Sequence, residues 1–315
     1  MTRISLALGT ALALLPLSAQ ADGPLNIVAT TGMVGDAAAQ VGGEFVEVQS
    51  LMGPGVDPHA YRQTRSDIVA TARADVVFWH GLYLEAQMEE FLVELGETTT
   101  VVPVAEALPQ ENLLQSDDYA ERFDPHIWMD PTLWVGAVQE ITATLSTVMP
   151  DAADTFAANA AAHIAELEQL DAYADRVLAT IPDTARVLIT AHDAFNYFGA
   201  AYNFEVVGIQ GISTESEAGL QRIGELVDML VERDVRAVFV ESSVSDRNIR
   251  ALIEGAAAQG HEVVSGGELF SDAMGEAGTY EGTLIGMLDH NITTIAGALG
   301  GTVPDGGMQG ALALN

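Results

Sequence analysis

The sequence predicts an α/β protein in two halves, each alternating parallel strands with helices, joined by one long helix. Three observations predict this. Short β-branched runs alternate with helical patterns, the signature of βαβ units and therefore of parallel sheets. The rhythm occurs twice, with four runs in each half and no convincing residue-level repeat between them. Between the halves lies Asp151–Ile181, rich in Ala, Glu, Leu and Asp and free of Gly.

In the first half, strands are expected at Leu25–Thr30, Val46–Met52, Val76–Trp79 and Thr100–Val104. Helices are expected near Met33–Val41, Thr64–Ala74, Leu84–Leu95 and Leu133–Val148. Pro150 and Pro182 bracket the central helix, where a start tolerates Pro and a stop uses it. Ala161, Ile164, Leu167, Leu170, Tyr173 and Val177 recur at spacings of three and four, giving one apolar stripe on a rod roughly 45 Å long. Such a rod braces both halves and permits only small rocking, unlike a Gly/Ser linker. The second half is expected to place strands at Arg186–Thr190, Val206–Ile209, Ala237–Glu241 and Glu262–Ser265. Its helices fall near Phe195–Ala201, Glu217–Glu232, Asp246–Gln259 and Thr279–Leu299. The expected organisation is a signal peptide at 1–21, a first lobe at 22–150, a linking helix at 151–182, a second lobe at 183–300 and a flexible Gly-rich tail at 301–315.

The start of the chain sets the expected compartment. A basic Met1-Thr2-Arg3, an apolar Ile4–Leu17 and an Ala19-Gln20-Ala21 cleavage site describe a secretory signal peptide and a periplasmic product. The apolar run is short for a membrane span. No Cys is present, which excludes an acylated-Cys anchor, disulfides and thiolate metal ligands, so any metal must be held by nitrogen and oxygen. The 45 acidic residues face 12 basic ones, all Arg, a surface that repels nucleic acid. That acidity suits solubility in a saline habitat, or the concentration of cations near a cleft.

Seven His are present in contrasting contexts. His59 and His126 each end an Asp-Pro-His triplet in a loop, and Pro limits the backbone before each. His192 follows the strand ending at Thr190, and Asp272 follows the strand ending near Ser265. Loops at the carboxyl ends of strands line the ligand crevice of open α/β sheets, so two residues from each half form a candidate nitrogen and oxygen site for one cation. Imidazole suits Zn²⁺ and related ions, and a carboxylate adds compensating charge. Four protein ligands describe a carrier better than a catalyst, which keeps a water position open. His80 stands at a strand end, where a structural role competes with lining the cleft. His163 is placed on the polar side of the long helix, and His261 and His290 are read as solvent-facing or structural.

Six blocks then resemble one family, the zinc- and manganese-binding receptors of ABC importers, the TroA-like group that includes the ZnuA and PsaA types. They are Gly55–Tyr61, Asp124–Asp130, Thr190–Phe198, Gly211–Gly219, Phe239–Ser245 and Leu269–Gly275, in order within about Ile27 to Ala298. The resemblance implies two lobes with parallel four-stranded sheets flanked by helices, joined by one long helix around a buried ion. It implies His59, His126, His192 and Asp272 as metal ligands. Glu241 and Asp193 are candidates for orienting imidazoles, with ordinary helix capping equally open to Asp193. The resemblance also implies a monomeric receptor, not an enzyme, that docks on a membrane permease whose cytoplasmic ATPase drives import.

Departures from the family bear on the metal. His192 stands where manganese-type members often carry Glu, and Glu111–Arg122 is shorter than the His-rich loop of zinc types and has no His. His80 stands where Asn is expected. Ligand softness favours Zn²⁺, Mn²⁺ stays open and Fe²⁺ also fits. Protonation of the imidazoles near pH 6 is expected to weaken binding. Two other classes compete. A periplasmic metal-dependent hydrolase needs an open coordination position and a general base, and the chain has no H-E-x-x-H. A receptor for a larger chelate, such as a siderophore or haem, wants aromatic or Arg groups lining a wide cleft.

Overall fold

The computed structural model describes residues 23–116, 119 and 121–312. The expected signal peptide lies outside them. Strands β1 (Leu25–Ala29), β2 (Val46–Ser50), β3 (Val76–Trp79) and β4 (Thr100–Pro103) build the first lobe with helices α1 (Gly32–Gly42), α2 (Arg65–Thr71), α3 (Glu89–Leu95) and α4 (Pro131–Val148). The strands form one parallel sheet in the order β2-β1-β3-β4. All four residues of β3, Val-Val-Phe-Trp, are buried, as a strand covered on both faces requires. Local chemistry starts the helices. Thr64 and Asp67 close a capping box on α2, while Asp130 caps α4 and Pro131 opens it. Helix α3 begins at Glu89 rather than at the expected Leu84, because Leu84–Met88 close as turns, with the Leu84 amide on the Gly81 carbonyl and the Met88 amide on the Glu85 carbonyl.

Helix α5 (Ala153–Leu178) runs 26 residues, about 39 Å. Its buried stripe is Phe156, Ala160, His163, Leu167, Leu170, Tyr173, Ala174 and Val177. The expected stripe is therefore one residue out of phase at its start, where Ala161 is exposed. His163, expected on the polar side, lies in the apolar stripe because steps of four and seven back from Leu167 reach positions 163 and 160. Neither of its ring nitrogens has a hydrogen-bond partner, and the Glu166 carboxylate is 3.8 Å away.

The second lobe contains β5 (Val187–Thr190), α6 (Asn196–Tyr202), β6 (Glu205–Gly208), α7 (Leu220–Glu232), β7 (Ala237–Glu241), α8 (Arg247–Ala258), β8 (Val264–Leu269) and α9 (Leu284–Ala298). Among the described residues, its hydrogen-bond ladders join β5 to β6 and β7 to β8, both parallel. Strands β5 and β7 lie side by side, so the spatial order β6-β5-β7-β8 repeats that of the first lobe. The ladder between β7 and β8 slips between Val238 and Val240.

One apolar core runs from Ile27 and Trp134 through Leu170 of α5 to Phe195 and Ile292. It crosses the lobe boundary, and smaller clusters fill the far side of each sheet. A continuous close-packed interior resists large opening. The Gly-rich segment after α9, expected to be loose, is docked up to Leu312. The Thr302 amide donates to Thr180 Oγ1 at 2.7 Å, and the Met308 amide donates to the buried Asp289 carboxylate at 2.9 Å. Gly307 has φ +77°, and a Cβ there would fall 2.6 Å from that carboxylate, so glycine is required at this approach. No helix among the described residues is long and apolar enough to cross a membrane.

Candidate metal centre

Every predicted ligand lies beyond the carboxyl end of a strand. His59 follows β2, His126 follows β4 and precedes α4, His192 is two residues past β5, and Asp272 is three past β8. All four are buried, and one ligand atom from each lies within 4.8 Å of the others. His59 Nε2 is 3.3 Å from His126 Nε2 and 3.9 Å from Asp272 Oδ2. His126 Nε2 is 3.4 Å from Asp272 Oδ1, and His192 Nε2 is 3.2 Å from Asp272 Oδ2. A tetrahedron with bonds of about 2.0–2.1 Å has edges of about 3.3–3.4 Å, so these spacings suit one small cation. His192 Nε2 and both carboxylate oxygens of Asp272 have no hydrogen-bond partner, although buried polar atoms normally find one.

The two Asp-Pro-His triplets work alike. Asp57 Oδ1 accepts the His59 amide and Asp124 Oδ1 accepts the His126 amide, each at 2.9 Å, folding a tight Asx turn under each imidazole. The second oxygen of each Asp reaches the other lobe. Asp57 Oδ2 accepts the Thr214 hydroxyl at 2.5 Å, and Asp124 Oδ2 accepts the Asn196 amide at 3.1 Å. Tyr197 of α6 adds a clamp, donating to the Asp124 carbonyl at 2.9 Å and accepting the Leu114 amide at 3.0 Å.

Carboxylates also set the imidazole tautomers. His126 Nδ1 is 2.7 Å from Asp124 Oδ1, and His192 Nδ1 is 2.5 Å from Glu241 Oε2. Because a carboxylate only accepts, each Nδ1 carries hydrogen and each Nε2 faces the cluster. Glu241, expected from the sequence, makes this contact and also accepts the His192 amide at 2.8 Å. Asp193 is held at the start of the following helix. Its amide bonds the Gly211 carbonyl and its carboxylate meets Asn196, at the start of α6. Asp124 was missed as an imidazole partner, although the repeated triplet carried the signal. His80 bonds the Pro125 carbonyl, His261 the Val235 carbonyl and His290 the Glu268 carbonyl, all structural contacts.

The buried charges pull the imidazoles apart. Burial pushes His59 down to about 3, overriding the attraction of Asp272. Burial also opposes charge on His126, but the charge and hydrogen bond of Asp124, helped by Asp272, push it up to about 9. His192 is likewise opposed by burial yet raised well above the usual histidine range by Asp272 and Glu241. Burial would raise Asp272, but the charge of His192 and the adjacent His126 and His59 imidazoles hold it well below the usual carboxylate range. The metal-free cluster is thus an imidazolium–carboxylate network in which the ligands do not titrate together near pH 6.

Two α/β lobes meeting over three buried imidazoles and a carboxylate define a metal-binding receptor of the two-lobed kind. The chain belongs to the ZnuA family, the zinc-uptake complex component A periplasmic, which matches residues 27–298. The manganese-binding lipoprotein MntA of Bacillus subtilis is 50% identical over 279 residues, 89% of this chain and 91% of the relative. The zinc-binding protein TroA of Treponema pallidum is 43% identical over 281 residues, 89% of this chain and 91% of the relative. Its solved structure matches with a TM-score of 0.85 over 88% of this chain and 99% of that one. The iron-binding protein YfeA of Yersinia pestis is 30% identical over 276 residues, 87% of this chain and 86% of the relative.

Proposed function

We propose that this chain captures one divalent transition-metal ion, Zn²⁺ or Mn²⁺, in the periplasm and hands it to the permease of an ABC importer. A cytoplasmic ATPase on that permease supplies the energy. The observation that carries the reading is the convergence of His59, His126, His192 and Asp272, whose ligand atoms all lie within 4.8 Å of one another. The donor set fits the cargo, because imidazole nitrogen and carboxylate oxygen suit borderline first-row ions. Relatives named for manganese and zinc support both ions, and one named for iron supports Fe²⁺ as a further cargo.

In this reading His59 and His126 from the first lobe meet the hydrated ion, and His192 and Asp272 from the second complete its shell. The ion displaces the protons on the Nε2 atoms of His126 and His192, while Asp124 and Glu241 keep the Nδ1 hydrogens and hold both rings in aim. The shared core and α5 limit the lobes to small rocking, so release belongs to docking on the permease rather than to wide opening. The chain acts as a monomeric carrier and not as an enzyme, since four protein donors around one ion leave little room for a substrate. Calorimetry of the metal-free protein with Zn²⁺ and Mn²⁺ tests this. One ion is expected to bind per chain, and His192→Ala is expected to cost more than the roughly 10–100-fold typical of an outer partner. Unchanged affinity in that variant would remove His192 from the site.

A further inference from the structure

Two carbonyl groups stand immediately before ligands of opposite lobes, and a ring holds each one. His80 Nε2 is 2.6 Å from the carbonyl of Pro125, the residue before His126. Trp128 Nε1 donates at 2.9 Å to the carbonyl of Ser271, the residue before Asp272, across the lobe boundary. The two rings meet edge to face with centroids 5.0 Å apart, and both are buried. Trp134 stacks near the His80 ring with centroids 6.0 Å apart, and Trp128 also meets the His126 ring at 5.2 Å.

The assembly is tied to the first sheet. A carbonyl only accepts, so the His80 proton sits on Nε2, and its Nδ1 is left without a partner. The ring is therefore held for one hydrogen bond and stands outside the four clustered ligands. Its backbone amide donates to Glu85 at 2.8 Å, and Glu85 also accepts the Thr30 hydroxyl at 2.6 Å, anchoring position 80 beside β1. A continuous path thus runs from the first sheet through His80 and Trp128 to the Ser271 carbonyl of the second lobe.

We propose that His80 and Trp128 form a positioning brace that sets the spacing between His126 and Asp272, and through it the preference between Zn²⁺ and the larger Mn²⁺. The proposal rests on the reading of these two residues as ligands. The edge in question, His126 Nε2 to Asp272 Oδ1, is 3.4 Å, close to that of a tetrahedron around a small ion. A longer edge suits longer metal–ligand bonds. Holding both preceding carbonyls keeps the edge short, and releasing either lets it lengthen at the expense of the smaller ion.

Competitive titration of Zn²⁺ and Mn²⁺ into metal-free protein tests the brace with three substitutions. Trp128→Phe keeps a ring but removes the donor, His80→Leu keeps volume but removes the donor, and His80→Asn keeps a shorter donor. Trp128→Phe and His80→Leu are expected to weaken Zn²⁺ by roughly 10–100-fold, with Mn²⁺ losing about tenfold less. His80→Asn should recover part of the preference. Equal losses for both ions, or a lowered melting temperature of the metal-free form with affinities intact, would reduce the pair to ordinary packing and overturn the proposal. If Trp128→Phe does not fold, the two His80 variants decide the matter. Failure of the unsubstituted protein to bind either ion would instead defeat the ligand reading, and it would show before any variant is made.

Discussion

His126 and His192 lie on opposite lobes, and each gives its Nδ1 hydrogen to a buried carboxylate, but the two carboxylates arrive by different routes. Asp124 is two residues before His126, so one Asx turn delivers ligand and partner together. Glu241 is 49 residues beyond His192 and reaches it only because β7 lies beside β5. His59 follows the first pattern in part, with Asp57 on its backbone amide. The first lobe therefore carries prefabricated ligand turns, whereas the second assembles its imidazole from neighbouring strand ends. Local turns survive small changes in packing. An arm built from two strands is only as well aimed as their alignment.

The largest expected effect that separates these arms comes from their carboxylates. Asp124→Asn and Glu241→Gln each keep an acceptor near Nδ1, and each is expected to weaken metal binding by roughly 10–100-fold in calorimetry. Changes that disturb the packing of β5 on β7 should reproduce the Glu241 defect but not the Asp124 one. Equal sensitivity of both arms to such changes would erase the contrast.

A medium effect concerns pH. His126 is raised to about 9 and His192 is raised above its ordinary value, so both stabilise the metal-free fold fully below their unfolded range near 6.5. That stabilisation is lost as pH climbs towards 9. His59 and His80 are lowered to about 3, so they favour the fold above that range and lose their contribution as pH falls from 6.5 towards 3. Melting of the metal-free protein should therefore peak near pH 6.5 and fall on both sides. Near pH 7, metal binding should release about two protons, measurable by calorimetry in buffers of different ionisation enthalpy. A flat melting profile, with no proton release, would contradict the charged network.

The smallest effect contrasts a satisfied buried imidazole with an unsatisfied one. His163 makes no hydrogen bond from either ring nitrogen. His163→Leu should raise stability by about 1–2 kcal/mol in denaturant unfolding and leave metal affinity unchanged, because it removes an unpaired buried polar group. A loss of stability would mean that the ring has a partner that protein geometry alone does not provide.

Much of this was legible in the residues. Alternating β-branched and amphipathic runs located seven strands closely, with β3 and β7 at their full extents. They set β8 early, at Glu262–Ser265 instead of Val264–Leu269, because its Ser-Gly-Gly-Glu stretch carries no strand pattern. These periodicities are local, so each stretch declares its own structure. The four converging residues were also readable, from two repeated triplets and two strand ends, as was the place of Glu241. Helix α3 was overextended at its start, because Leu84–Met88 share its apolar pattern but close as turns, which spacing alone does not reveal. His163 was put on the wrong face, because one His amid Ala and Glu carries too little apolar signal to set the phase.

By itself the sequence determined the α/β alternation, the central helix, the missing thiolates and the residue types offered to a cation. Only the tertiary structure decided that Asp193 meets Asn196, that Asp57 and Asp124 bridge the lobes, and that the segment through Leu312 docks on Asp289. The physical reason is range. Backbone preference and side-chain periodicity act over a few residues, whereas a buried polar atom takes whichever partner the packed core brings within about 3 Å, however distant in the chain.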